Sequence, residues 1–111
     1  MTIEFEDFLK VDVRVGTVLS AAPNRAARKP AYVLEVDFGP AIGRRTTSAQ
    51  LTELYTPDQL IGRQVAAVVN FPPKRIAGVK SEVLVLGFPD ADGHVVLIGV
   101  DHPVPAGGRL F

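Results

Sequence analysis

The chain of 111 residues contains no cysteine, which excludes a disulfide framework, a thiolate nucleophile and a thiolate metal site by arithmetic. It has no long apolar run. A run such as Val95 to Val100 has six residues, glycine counted, against the roughly 20 that a membrane helix needs. A basic, apolar leader is missing too, because Met1-Thr2-Ile3-Glu4-Phe5-Glu6-Asp7 places acids where a secretory signal needs a positive start. A soluble, cytoplasmic protein is the expectation. Nor is there net charge: twelve Lys and Arg balance twelve Asp and Glu, which taken whole argues against a polyanionic partner.

The placement of charge argues otherwise. Residues 22–30 and 70–80 hold six basic residues, Arg25, Arg28, Lys29, Lys74, Arg75 and Lys80, and no acid. The rest of the chain is therefore left with six basic residues against twelve acidic ones. With 47% hydrophobic and 22% charged residues the chain is a folded one, and its length suits a single domain, 1–111, with one modest core.

Hydrophobic spacing sets out the elements. Phe5, Phe8 and Leu9 stand at i, i+3, i+4, predicting a short helical arm within residues 1–9. From Leu9 through Val15 the period becomes two, predicting a first strand that runs on to about Ser20. A loop bracketed by Pro23 and Pro30 follows. Tyr32, Leu34, Val36 and Phe38 alternate as a second strand, which Gly39-Pro40 ends. A third strand is read over Ile42 to Thr47. Thr47 with Gln50, and Thr56 with Gln59 after which Pro57 stands first, are capping boxes that predict two short helical turns in 48–61, closed by Gly62. Strands at 63–71 and 81–88 flank the second basic loop, and Asp92-Gly93 turns the chain into a last strand, Val95 to Val100.

This order predicts a mainly all-β protein: an OB-fold, a five-stranded Greek-key barrel with short helices at the N-terminus and between strands three and four, plus an extra C-terminal strand. Such barrels bind ligands with the loops between strands one and two and between strands four and five. The two acid-free loops are those two. Val83 to Leu86 and Val95 to Val100 are apolar on both faces, whereas a small barrel has one inside; a homodimer is expected to cover the surplus, with the tail 101–111 packing on it.

Two kinds of partner suit these residues. Six mobile cations neutralise phosphates without reading bases, and with only Tyr32 and Phe71 as aromatics near the loops, RNA recognition by shape is expected over base stacking. An extended polypeptide needs an apolar floor and polar edges; Tyr32, Phe71, Pro72 and Ile76 are candidates for the floor, Ser48, Gln50, Asn70 and Ser81 for the edges. Enzymatic equipment is thin. There is no nucleophile elbow and no phosphate-binding glycine loop. His94 and His102 stand apart from any ligand-spaced acid pair, so no metal and no cofactor are expected. Asp90-Ala91-Asp92-Gly93 shares the opening of a calcium loop but lacks its downstream Glu, and is read as a hairpin turn.

Phe8-Leu-Lys-Val-Asp-Val-Arg-Val-Gly-Thr-Val18, Ser48-Ala-Gln-Leu-Thr-Glu-Leu-Tyr-Thr-Pro57 and Asn70-Phe-Pro-Pro-Lys-Arg-Ile-Ala-Gly78 resemble the tRNA-binding-domain family, and most of all its CsaA branch of small export-related chaperones. The loop from Ala27 to Tyr32 fits the same branch. The resemblance implies an OB-fold that binds tRNA through its structure. It also implies a homodimer with chaperone-like activity toward unfolded or export-destined polypeptides, linked to the preprotein export machinery. Where the synthetase-linked branch has Leu-Lys-Pro and Gly-Met, this chain has Phe71-Pro72-Pro73 and Val83-Leu84, exchanging a lysine for apolar surface.

Overall fold

The computed structural model describes residues 1–111, and strand β1 (Val13–Pro23) is the element on which the others are laid. It is longer than either of its neighbours. Its first part, Val13 to Thr17, pairs with β4 (Gln64–Val68), and its second, Thr17 to Pro23, with β2 (Tyr32–Asp37), both antiparallel. A register shift between Val18 and Ser20 bends the strand as it changes partner.

The main sheet runs β3-β2-β1-β4-β7, with β3 at Arg44–Ala49 and β7 at Leu84–Val85. Its two ends meet. The Glu82 N–H donates to the Thr46 carbonyl at 2.8 Å, the Glu82 carboxylate accepts from the Thr46 N–H at 3.0 Å, and the Thr47 hydroxyl donates to the Val83 carbonyl at 2.7 Å. The result is a nearly closed five-stranded antiparallel barrel with short helices, the OB-fold that the element order predicts.

Alternation fills the barrel. Tyr32, Leu34 and Val36 point inward from β2 and meet Val18, Phe38, Leu60, Val65 and Ala67; each fully buried aliphatic side chain of this size stabilises by about 1.5–3 kcal/mol. Gly16 belongs to the same inner face. A Cβ there would lie 2.5 Å from Val36 Cγ1 and 2.7 Å from the Phe38 ring, so only glycine lets β1 and β2 close.

Several elements depart from the sequence reading. The helix α1 (Phe5–Leu9) is capped by a reciprocal Glu4–Asp7 box, and β1 starts only at Val13. Gly39, with φ +83°, and Pro40 open a single helical turn, α2 (Gly39–Ile42), so the third strand begins two residues later than Ile42. The Thr47–Gln50 box does not form: Thr47 lies inside β3 with its hydroxyl 2.8 Å from Ser81 Oγ, because six cross-strand pairs between β2 and β3 outweigh a local cap. The Thr56–Gln59 box does form and starts α3 (Pro57–Leu60), after which Gly62 takes φ +85°. The stretch 81–88 is divided, since β4 pairs with β7 only at Ala67 and Val68 before the chain turns away into β8 (Gly87–Pro89), which pairs with β9 (Val95–Leu97).

The tail packs on its own barrel. Beyond Thr17, β2 leaves one edge of β1 bare, and residues 107–110 fill it: Gly107 N–H donates to Val15 O at 2.8 Å, Val15 N–H to Gly108 O at 3.0 Å, and Leu110 N–H to Val13 O at 2.8 Å. The Gln64 side-chain amide holds both polar groups of the Val104 backbone, at 2.7 and 3.1 Å. Val13 and Val15 are thereby covered on the face opposite Gly16 and Val18, while Leu110 and Phe111 remain exposed.

Candidate binding surface

Between β4 and β7 the chain leaves the barrel as a hairpin, β5 (Lys74–Ile76) and β6 (Val79–Ser81). Its two-residue turn, Ala77-Gly78, has φ +47° and +80°, the pair of positive values that a twisted hairpin requires. Ala77 is the one non-glycine residue with positive φ, so this turn carries strain that Asn or Gly would not. The base of the hairpin is pinned by Ser81, whose Oγ lies 2.8 Å from Thr47 Oγ1 and accepts from the Ser48 N–H at 3.3 Å.

The hairpin is a wall between two recesses. On one side a recess of about 360 Å³ lies against the first basic loop, lined by Arg28, Lys29, Ala31, Ser48, Gln50 and Ile76. On the other a recess of about 240 Å³ is lined by Phe71, Pro72, Ile76, Val83 and Leu84, with Lys74, Ser81 and Glu82 as its polar members. Ile76 lines both. The second is the more apolar, and Phe71 and Leu84 beside it are each about half exposed, at 51% and 50%.

The cations fall into two populations. Lys10, Arg14, Arg44, Arg45 and Arg109 each sit within 4.0 Å of a carboxylate, and Arg63 lies 5.1 Å from the centre of the Tyr55 ring. Arg25, Arg28, Lys29, Lys74, Arg75 and Lys80 have no carboxylate within that distance and are exposed. The six are the ones that the sequence sets apart. Arg75 and Lys80 face each other across the hairpin, a like-charge pair that destabilises it by a few tenths of a kcal/mol or more. Arg75 spends one donor on the Gly78 carbonyl at 3.1 Å.

Of the residues expected to form a peptide floor and rim, Ser48, Gln50 and Ile76 come together in the first recess, and Phe71, Pro72, Ile76 and Ser81 in the second. Tyr32 does not join them. It is 8% exposed, turned inward by the alternation of β2, and its hydroxyl donates to the Tyr55 carbonyl at 2.7 Å. Asn70 is engaged elsewhere: its Oδ1 accepts from the Asp12 N–H at 3.0 Å and its Nδ2 donates to the Lys10 carbonyl at 2.7 Å, tying α1 to the barrel. Arg25 stands on the first loop away from the recess. Leu84 and Ala31 were not legible as lining residues, because continuous apolar runs hide which side chain faces out.

Asp90, Asp92 and His94 converge more than their spacing suggested, with one ligand atom of each within 4.8 Å of the others, and His94 Nε2 lies 3.9 Å from Glu53. The turn accounts for the Asp90 carboxylate: Oδ1 accepts from the N–H groups of Asp92 and His94, both at 2.9 Å, as an Asx turn does.

Residues 13–109 match the family described as "Putative tRNA binding domain". The solved structure of chaperone CsaA from Bacillus anthracis is 52% identical, covers 100% of both chains and superposes with a TM-score of 0.92. The CsaA chaperone protein from Picrophilus torridus is 45% identical over 99% of this chain and 100% of its own, with the same TM-score, 0.92. A methionine–tRNA ligase from Porphyromonas gingivalis is 40% identical over 108 residues, 97% of this chain, but the chain spans about 15% of that ligase. By fold, by motif and by identity along its length, this chain belongs to the tRNA-binding-domain family, and CsaA chaperones are members that it resembles from end to end.

Proposed function

We propose that this protein is a non-catalytic, chaperone-like binder of unfolded or export-destined polypeptide that also carries a tRNA-binding surface. The observation that carries the reading is the hairpin at 74–81, with a basic, polar recess on one side and an apolar one on the other. Arg28 and Lys29 with Ser48 and Gln50 suit a sugar-phosphate backbone, where counterion release supplies affinity without base readout. Phe71, Pro72, Ile76 and Leu84 suit apolar side chains of an extended chain. The CsaA likeness supports the polypeptide role, and the family description supports the RNA role.

The protein acts as a homodimer in the cytoplasm, delivering clients toward the preprotein export machinery. Phe88 and Val96, exposed cross-strand neighbours on the β8–β9 hairpin, are apolar surface that a second copy would cover. A second reading, a tRNA-binding module whose chaperone behaviour is incidental, is favoured by the six unpaired cations. One titration separates the two: labelled unfolded polypeptide and bulk tRNA, each bound to the protein across a salt series. The proposal expects both to bind, tRNA with the steeper salt dependence. Binding of tRNA without polypeptide would establish the second reading instead.

A further inference from the structure

Strand β5 has one edge against β6 and the other open. In a hairpin closed by a two-residue turn, the pair next to the turn, Ile76 and Val79, exchanges hydrogen bonds, and the next pair, Arg75 and Lys80, does not. The Arg75 N–H and C=O therefore point away from β6, along the open edge. The far side of β6 is covered, since Ser81 and Glu82 bond to β3. Pro72-Pro73 just before β5 keeps the open edge short. Beside that edge lies the apolar recess of about 240 Å³. Lys74 and Glu82 line it, while Arg75 and Lys80, facing each other in register, carry their side chains on the hairpin face turned away from Lys74 and Ile76, and neither has a carboxylate partner.

We infer that the open edge of β5 takes a short extended polypeptide segment as an added strand, its apolar side chain seated in the recess and its acidic neighbours on the other face, beside Arg75 and Lys80. This rests on the reading that the chain holds polypeptide, and it names which polypeptide. Alternation explains the pairing of features: in an added strand one residue faces the recess while its neighbours face the other way. Acidic neighbours relieve the Arg75–Lys80 repulsion, whereas basic ones add to it. An RNA strand can use the cations, and a backbone N–H can meet a phosphate, but the paired N–H and C=O of a strand edge are matched by another extended backbone, so polypeptide is the occupant that uses cations, edge and recess together.

The test uses three short labelled peptides with a common leucine centre, flanked by Glu, Ser or Lys, measured by fluorescence anisotropy at low and high salt. The Glu-flanked peptide is expected to bind roughly tenfold more tightly than the Lys-flanked one at low salt, the advantage shrinking as salt rises. N-methylation of the Glu peptide at alternate backbone positions should weaken it in one register only, by about tenfold. Arg75→Pro, which removes an outward N–H that the hairpin does not use, should weaken the peptide several-fold more than Arg75→Ala, with the melting transition kept in both. Equal binding of the three peptides, indifference to N-methylation, or identical losses in R75P and R75A would each overturn the inference. If no peptide binds while tRNA does, the underlying polypeptide reading falls, and the cations belong to RNA alone.

Discussion

The two basic loops carry the same charge on different mechanical footings. Residues 22–30 fold around Asn24, which is 9% exposed: its N–H donates to the Ala31 carbonyl at 2.8 Å, its Oδ1 accepts from the Ala26 N–H at 3.2 Å, and its Nδ2 reaches Ser48 Oγ at 3.4 Å. Residues 74–81 stand outside the main sheet, a two-stranded hairpin pinned at its base through Ser81 and strained at its tip at Ala77. A lone two-stranded hairpin is marginal in water. The first loop is thus a platform held from within by Asn24, and the second a wall anchored at its base. On the proposed function, charge brings partners to both and stiffness divides their tasks.

Charge reversal breaks this comparison most strongly. Arg28→Glu with Lys29→Glu, on the platform, should weaken tRNA at least about tenfold near physiological salt and flatten its salt dependence, while leaving suppression of aggregation of an unfolded client unchanged. Lys74→Glu with Arg75→Glu, on the wall, should reduce tRNA binding and acidic-peptide binding together. Parallel effects of the two pairs on both ligands would dissolve the distinction. Asn24→Ala should then cost about 0.5–1.5 kcal/mol in urea denaturation, since the side-chain bonds to the Ala26 N–H and Ser48 Oγ are lost, and should lower tRNA affinity without touching a charge. The smallest effect is at the wall's tip. Ala77→Asn suits the left-handed turn and should stabilise the hairpin by about 0.5 kcal/mol, read as slower hydrogen exchange at the Val79 amide with global stability unchanged.

The loops were legible in the sequence because acid-free basic runs between strands need no tertiary knowledge to find. The alternation of Tyr32 to Phe38 and the Thr56–Gln59 box were legible for the same reason, each being complete within a few residues. What was hidden depended on distant chain. Thr47–Gln50 has the same box pattern as Thr56–Gln59, but pairing of β2 with β3 and a buried bond to Ser81, 34 positions away, took Thr47 into a strand. Asn70 looked like part of the loop that follows it, yet its partners lie 58 and 60 positions back. Tyr32 was placed at the groove by proximity and removed from it by the strand's own period, a residue whose two signals conflicted.

The strap along β1 bears on how the molecule is made. It joins segments 93 positions apart, as in the bond from the Arg14 guanidinium to the Gly107 carbonyl at 3.0 Å. Contacts of such sequence separation form late and slow the search for the native state. On the ribosome the edge of β1 from Val13 to Gly16 has its strand partner only after residue 110 has emerged, so a nascent chain presents an unpaired, valine-rich edge for as long as its last turns are unsynthesised. Until then the chain has an edge to hide.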